Sequence, residues 1–345
     1  MTGNRPPENR LDPDGAAVVR SSGSTHNSQP PPVESTSSDG SFGVNLEPVL
    51  LRACHGRLSN VTWFRTDWQR GGALTGYATF RDDGGDDRPA VVKLPIPPIE
   101  RLWLSRLQDA NGVVPVLYAH GDALNGYDMA WVVMERLAHG PLGSAWGGRE
   151  FDLLTDAAGR FYQAATEFPV DQPPPQRNWQ QVFELSRKNV KRHGLRQEQR
   201  WTKALKQSHR KLKQWQRIWD DRNVDHWCHG DLHLGNAMTR HPAPQGPALL
   251  LDFALTHPGH WLEDAVYFEH LYWSRRDALG SRRLCRQIAH ERKRLGLAVD
   301  KDWPRLAEVK RALLAMSTPA MLHLDGDPRH VEAALHVLEA EGGSR

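Results

Sequence analysis

Near Leu137 the apolar residues of this chain change their period, and that change constrains the fold more than any other feature. Upstream, short apolar runs separated by glycine and acidic turns read as strands. Residues 61–69 form the first run, broken by Arg70-Gly71-Gly72-Ala73-Leu74-Thr75-Gly76. Residues 77–81 follow and lead into Asp82-Asp83-Gly84-Gly85-Asp86-Asp87, a hairpin turn signal. Residues 90–94 read as a third strand, apolar except for Lys93. Pro97-Pro98 then opens a helix in which Ile99, Leu102, Trp103 and Leu107 recur at helical spacing. Two further strands are predicted near residues 113–120 and 128–135, and a short helix over 46–57 precedes the set.

Downstream the pattern is helical. Residues 150–222 carry helix periodicity interrupted by Pro173-Pro174-Pro175, and the clearest helix spans about 197–222. Trp201, Leu205, Leu212, Trp215 and Trp219 form its single apolar stripe. A polar loop over 229–236, a short strand over 248–253 and further helices to about residue 341 complete the chain. The expected class is α+β: a small β-rich lobe over 46–137 joined to a larger helical lobe over 138–345, with a cleft between them. Residues 1–45 are rich in Pro, Ser, Gly, Asn and Asp and read as a disordered tail, because they bury too little apolar surface to offset their ordering entropy.

Composition removes several alternatives. At 345 residues, 39% of them hydrophobic, the chain is long enough for one large domain or two lobes around a continuous core. A formal net charge of +3 forces no polyelectrolyte partner. Cys54, Cys228 and Cys285 form no C-x-x-C pair and read as thiols in a reducing compartment. No run approaches the roughly 18 apolar residues of a membrane span, and no signal-peptide core is present, so a cytoplasmic protein without a membrane partner is expected.

The residues richest in chemistry are His229-Gly230-Asp231-Leu232-His233-Leu234-Gly235-Asn236, followed by Leu251-Asp252-Phe253. An aspartate, an asparagine five residues on and a second aspartate after an apolar strand supply what phosphoryl transfer needs. One carboxylate orients an attacking hydroxyl and takes its proton, while an amide oxygen and another carboxylate hold magnesium. The same loop also reads as an H-x-D-x-H ligand set for metal-assisted hydrolysis, formed by His229, Asp231 and His233. That reading has no further ligands placed by a motif and leaves Lys93 and Asn236 without a role. Lys93 itself is costly to bury unless it meets an anion, unless it is an edge-strand lysine that reaches solvent.

With its H-G-D-x-x-x-x-N loop matched letter for letter, the chain resembles the aminoglycoside phosphotransferase-like family of kinase-fold enzymes over about residues 50–330. The resemblance implies a bilobal protein-kinase-like fold and transfer of the γ-phosphate of ATP or GTP to a small-molecule hydroxyl. It implies that Asp231 is the base and that Asn236 and Asp252 hold Mg²⁺. Lys93 would grip the nucleotide phosphates and pair with Glu100 on the following helix. Gly71 and Gly72 would fold over the phosphates. Main-chain groups of Glu135 and Leu137, in the strand exit Met134-Glu135-Arg136-Leu137, would meet the adenine. Asp264 resembles the aspartate that braces the catalytic loop.

Two features depart from that pattern or fall outside it: Ala254 stands two residues after Asp252, and the aromatic run over 267–273 has no role in the scheme. Residues 187–222 hold thirteen Lys or Arg against Glu198, Asp220 and Asp221. This charge reads as the solvated face of the amphipathic helix, so a nucleic-acid partner is not expected. A polycationic aminoglycoside would sit poorly beside it. The alternatives are an inactive kinase-fold binding protein, against which the intact Lys93, Asp231, Asn236 and Asp252 argue, and a nucleic-acid binder using the basic helix.

Overall fold

A computed structural model describes residues 40–64, 73–110, 112–144, 147–243, 245–321 and 327–343. The small lobe starts with α1 (Gly40–Ala53), which begins upstream of the predicted 46–57, inside the segment read as a disordered tail. Leu46, Val49 and Leu50 pack it onto the outer face of the sheet, and the helix continues upstream of these anchors. The strands are β1 (Leu58–Phe64), β2 (Leu74–Arg81) and β3 (Asp87–Ile96). After α2 (Pro98–Arg106) come β4 (Leu117–Gly121) and β5 (Ala130–Glu135). They form one antiparallel sheet in the order β1-β2-β3-β5-β4.

The β2–β3 hairpin is set by its acidic turn. Asp82 Oδ1 accepts from the Asp86 amide at 2.9 Å, Gly85 takes φ +88°, and Arg88 pairs with Asp82 at 2.7 Å. Continuous pairing from Arg81↔Asp87 to Leu74↔Leu94 makes β3 longer than the predicted 90–94. By contrast, β4 starts only after Pro115 rather than at residue 113. The Val113 carbonyl instead accepts from the Leu250 amide of the large lobe at 2.8 Å.

Along β3, Ala90, Val92 and Leu94 face a core shared with α1, whereas Lys93 points to the opposite face. The order of strands puts β3 at the centre, with Lys93 opposite Thr75 on one side and Val132 on the other. An edge-strand lysine reaching solvent is therefore excluded.

The large lobe contains α3 (Glu150–Ala165), α4 (Trp179–Arg192) and α5 (Glu198–Asp220). Next come β6 (His226–Cys228), β7 (Ala237–Thr239), β8 (Ala248–Leu250) and β9 (His257–Gly259). The chain ends in α6 (Leu262–His270), α7 (Arg276–Leu279), α8 (Leu284–Arg294), α9 (Trp303–Met321) and α10 (Pro328–Gly343). The predicted stripe on α5 is buried, and the helix packs on α4, α9 and α10. Arg200 of its basic face pairs with Glu339 of α10. Trp103 of α2 joins the lobes: its ring lies edge-on to Phe161, Phe168 and Trp227 at 5.0–5.8 Å, so one core runs under the cleft. Among the described residues, no helix is long and apolar enough to cross a membrane.

Candidate active site

The loop over 229–236 is held by its backbone. Asp264, in the first turn of α6, accepts from the amides of His229 (2.8 Å) and Gly230 (2.9 Å) and from the Tyr162 hydroxyl (3.0 Å). Gly230 has φ +85°, and a Cβ there would lie 2.0 Å from the Leu255 carbonyl, so only glycine fits. The His229 ring is fully buried. Its Nδ1 accepts from the Asp231 amide at 3.3 Å, which leaves Nε2–H to donate to the Leu251 carbonyl at 3.0 Å. Burial holds this imidazole below its ordinary range, so it stays neutral. With both ring nitrogens engaged, His229 is a tie between the two halves of the site, which removes it from the H-x-D-x-H ligand set.

The β7–β8 pairing then explains how residues sixteen apart in sequence meet. Ala237 lies opposite Leu250, and the Leu251 amide donates to the Asn236 carbonyl at 2.9 Å, setting Asp252 beside Asn236. Asp252 takes φ +60°, a conformation rare for a non-glycine residue and concentrated at functional sites. Its side chain is 43% exposed, and its Oδ1 lies 3.5 Å from Lys93 Nζ.

Asp231 is nearly enclosed by donors. Tyr267 Oη donates to Oδ1 at 2.6 Å and Asn236 Nδ2 to Oδ2 at 3.0 Å. His233 Nε2 lies 3.4 Å from Oδ2, while its Nδ1 accepts from the Gly235 amide at 3.0 Å, which fixes Nε2 as the protonated nitrogen. Burial pushes the Asp231 carboxyl up, but the His233 and Tyr267 hydrogen bonds outweigh it and hold the group below the usual carboxylate range.

Across the cleft, Lys93 Nζ donates to Glu100 Oε1 at 2.7 Å. Burial works against the ammonium, yet the charges of Glu100 and Asp252 more than offset it and Lys93 stays protonated. Glu100 is buried, and its Oε2 has no hydrogen-bond partner among the described residues.

The oxygen donors here suit a hard divalent cation. Asn236 Nδ2 donates to both Asp231 Oδ2 and the Asp231 carbonyl, each at 3.0 Å, which leaves Oδ1 as the amide atom that could face a cation. Asp252 offers a half-exposed carboxylate beside it. A different group, Cys228, His257 and Glu263, also converges within 4.8 Å. There Glu263 already meets Arg222 at 3.0 Å, His257 at 3.7 Å and Lys310 at 3.8 Å, so its charge is neutralised by the protein itself.

The remaining predicted residues fall as follows. The Glu135 side chain is not directed at a ligand: it holds Arg240 through two 2.7 Å bonds and accepts from the Val116 amide at 3.1 Å. Among the described residues nothing pairs with the main-chain N–H or carbonyl of Leu137. Gly71 and Gly72 lie outside the described residues. Sequence reasoning missed Tyr267. Its signal is the spacing of three from Asp264, which puts both side chains on one face of α6.

The sequence matches the phosphotransferase enzyme family over residues 51–325. The chain belongs to that family. Solved structures show the same two-lobed kinase-like fold. A candidate aminoglycoside phosphotransferase from Ralstonia eutropha JMP134 is 16% identical with a TM-score of 0.54, covering 86% of this chain and 97% of its own. Spectinomycin phosphotransferase, in complex with ADP and spectinomycin, is 11% identical with a TM-score of 0.52, covering 87% of this chain and 98% of its own. A thermostable mutant of an aminoglycoside phosphotransferase, in a ternary complex with ADP and hygromycin B, is 14% identical with a TM-score of 0.51 and covers 87% and 98%. No curated protein matches the sequence.

Proposed function

We propose that this member of the phosphotransferase family moves the γ-phosphoryl group of ATP or GTP, as its Mg²⁺ complex, to a hydroxyl of a small molecule. The observation that carries this reading is the convergence of Asp231, Asn236, Asp252 and Lys93 on one cleft, each with a polar group left to offer. The nucleotide would sit under the small lobe, with its base at the main chain of Leu137 and its phosphates at the Lys93 ammonium. Glu100 keeps that ammonium charged and aimed.

Asp231 orients the acceptor hydroxyl and takes its proton as the oxygen bonds to phosphorus and the bond to the departing ADP or GDP breaks. Asn236 Oδ1 and the Asp252 carboxylate would hold Mg²⁺. When bound, the cation neutralises charge on the phosphate oxygens. Solved relatives of the fold in complex with ADP and spectinomycin, or with ADP and hygromycin B, support a nucleotide donor and a small hydroxyl-bearing acceptor.

The test incubates purified protein with Mg²⁺·ATP and a broad metabolite pool, and compares phosphorylated products by mass spectrometry with Asp231→Asn. Products formed by the intact protein alone establish the reaction and name the acceptor. Equal product from the variant rules out the assigned base.

A further inference from the structure

Tyr267 is a residue of the site that the reaction as described does not use. Its hydroxyl sits 2.6 Å from Asp231 Oδ1, a shorter contact than Asn236 or His233 makes on Oδ2. A carboxylate offers roughly four lone-pair positions. Asn236 takes one on Oδ2, which His233 also approaches to 3.4 Å, and Tyr267 takes one on Oδ1. A single position on Oδ1 is left.

We propose that Tyr267 is a positioning residue that leaves Asp231 Oδ1 one open lone pair, reserving that oxygen of the base for the acceptor hydroxyl and denying a second seat on it to water. This proposal rests on the reading of Asp231 as the base.

The surroundings of Tyr267 fit that task. It lies on the same face of α6 as Asp264, so one helix grips the backbone of the catalytic loop and aims its carboxylate. The Tyr267 ring is 5.2 Å from His270, whose Nδ1–H donates back to the Tyr267 carbonyl at 2.7 Å. His270 in turn meets the rings of Trp273 and His330 at 5.5 and 5.3 Å. His270, itself packed against Trp273 and His330, thus backs the phenol, which lowers the cost of holding its hydroxyl on the base.

Water is the competing nucleophile that this arrangement suppresses. In the hydrolytic side reaction, a water oxygen bonds to the γ-phosphorus and the bond from that phosphorus to the β–γ bridging oxygen breaks. Asp231 accepts the water proton, and ADP and inorganic phosphate leave. Removing the phenol opens a second position on Oδ1 and frees the carboxylate to rotate, and both changes favour water. A residue that only supported the fold would lower hydrolysis or leave it unaltered when changed.

The experiment needs no acceptor. Phosphate release from Mg²⁺·ATP alone is measured for the full chain and for Tyr267→Phe, Tyr267→Met, Asp231→Asn and the double variant Asp231→Asn/Tyr267→Phe. Melting curves and Mg²⁺-dependent nucleotide binding report on folding, and Tyr267→Met supplies a second side chain without the hydroxyl should Tyr267→Phe fold poorly. If the phenol excludes water as proposed, release should be about tenfold faster in the tyrosine variants, the rate equivalent of one hydrogen bond to a charged group. The double variant should fall back to the level of Asp231→Asn.

Unchanged or slower release from a folded, nucleotide-binding tyrosine variant overturns the proposal while leaving the base intact. Phosphate found on Tyr267 of the intact protein also overturns it, since the phenol would then be an acceptor rather than a guard. Undiminished release from Asp231→Asn points instead to failure of the base assignment, and the proposal falls with it.

Discussion

Two of the buried charge clusters among the described residues are built on opposite plans. Around Glu263, one carboxylate meets Arg222, Lys310 and His257 and also accepts from the His260 amide at 3.0 Å. Burial raises that carboxyl, but His257, Lys310 and Arg222 overcome it and drive it far below its ordinary range. Around Lys93, one ammonium lies between two carboxyl groups, Glu100 and Asp252, with one Glu100 oxygen unpartnered among the described residues and Asp252 open to the cleft. The first cluster is satisfied by the chain alone and ties the end of α5, β9, α6 and α9 together. The second leaves a carboxylate and a buried oxygen that the described residues do not complete. What sets it apart from the other unpartnered buried atoms, such as Trp201 Nε1 and Ser186 Oγ, is that charge and an open carboxylate accompany it, the combination expected of a binding site.

The contrast is sharpest at Asp252. Asp252→Ala should lower turnover about a thousandfold, the scale of losing one preorganised electrostatic group at a reacting phosphate, with the melting temperature nearly unchanged. Steady-state kinetics beside calorimetry checks this, and a large loss of stability with modest loss of rate would place Asp252 with the structural cluster. Next, Gly230→Ala forces a Cβ against the Leu255 carbonyl at a positive φ. It should cost about 2 kcal/mol of stability and most activity, read by denaturant titration. Glu263→Gln belongs to the other cluster. It strands Arg222 and Lys310 and should cost about 3 kcal/mol, while turnover per folded molecule holds. A matching fall in turnover per folded molecule would erase the distinction between the clusters.

How much of this was legible in the sequence depends on the range of the contact involved. The change of period near Leu137 predicted the two lobes, because side-chain alternation and helical stripes are local properties. Lys93 and the loop from His229 to Asn236 stood out because their residue types conflict with their apolar surroundings. Strand ends were less legible: β4 starts at Leu117 rather than at residue 113, and Val113 instead makes a main-chain bond with Leu250, a pairing set by tertiary contact. Glu135 shows the same limit, since its partner Arg240 is 105 residues away. Tyr267 lay in a conspicuous aromatic run, but its partner Asp231 is 36 residues upstream and only the packing of α6 brings them together.

The support behind Tyr267 carries its own test through His270. Burial first, and then the positive influence of His330 and Lys310, bring the His270 imidazole down to about 3 from an ordinary 6.5. A base whose folded pKa is depressed contributes stability that is present above its unfolded value and lost as pH falls toward the folded one, because the unfolded chain binds the proton more readily. Acidification below 6.5 should therefore weaken the fold, with His270 contributing at most about 1.4 kcal/mol per pH unit. His270→Gln removes that titration and should flatten the decline between pH 6.5 and 5 in denaturant titrations. His330 is lowered too, by burial, with Asp327 opposing, so part of the slope should survive in the variant. An identical slope in both proteins would mean that the His270 ring is hydrated and titrates normally, and the aromatic support behind the Tyr267 phenol would then be looser than its packing implies.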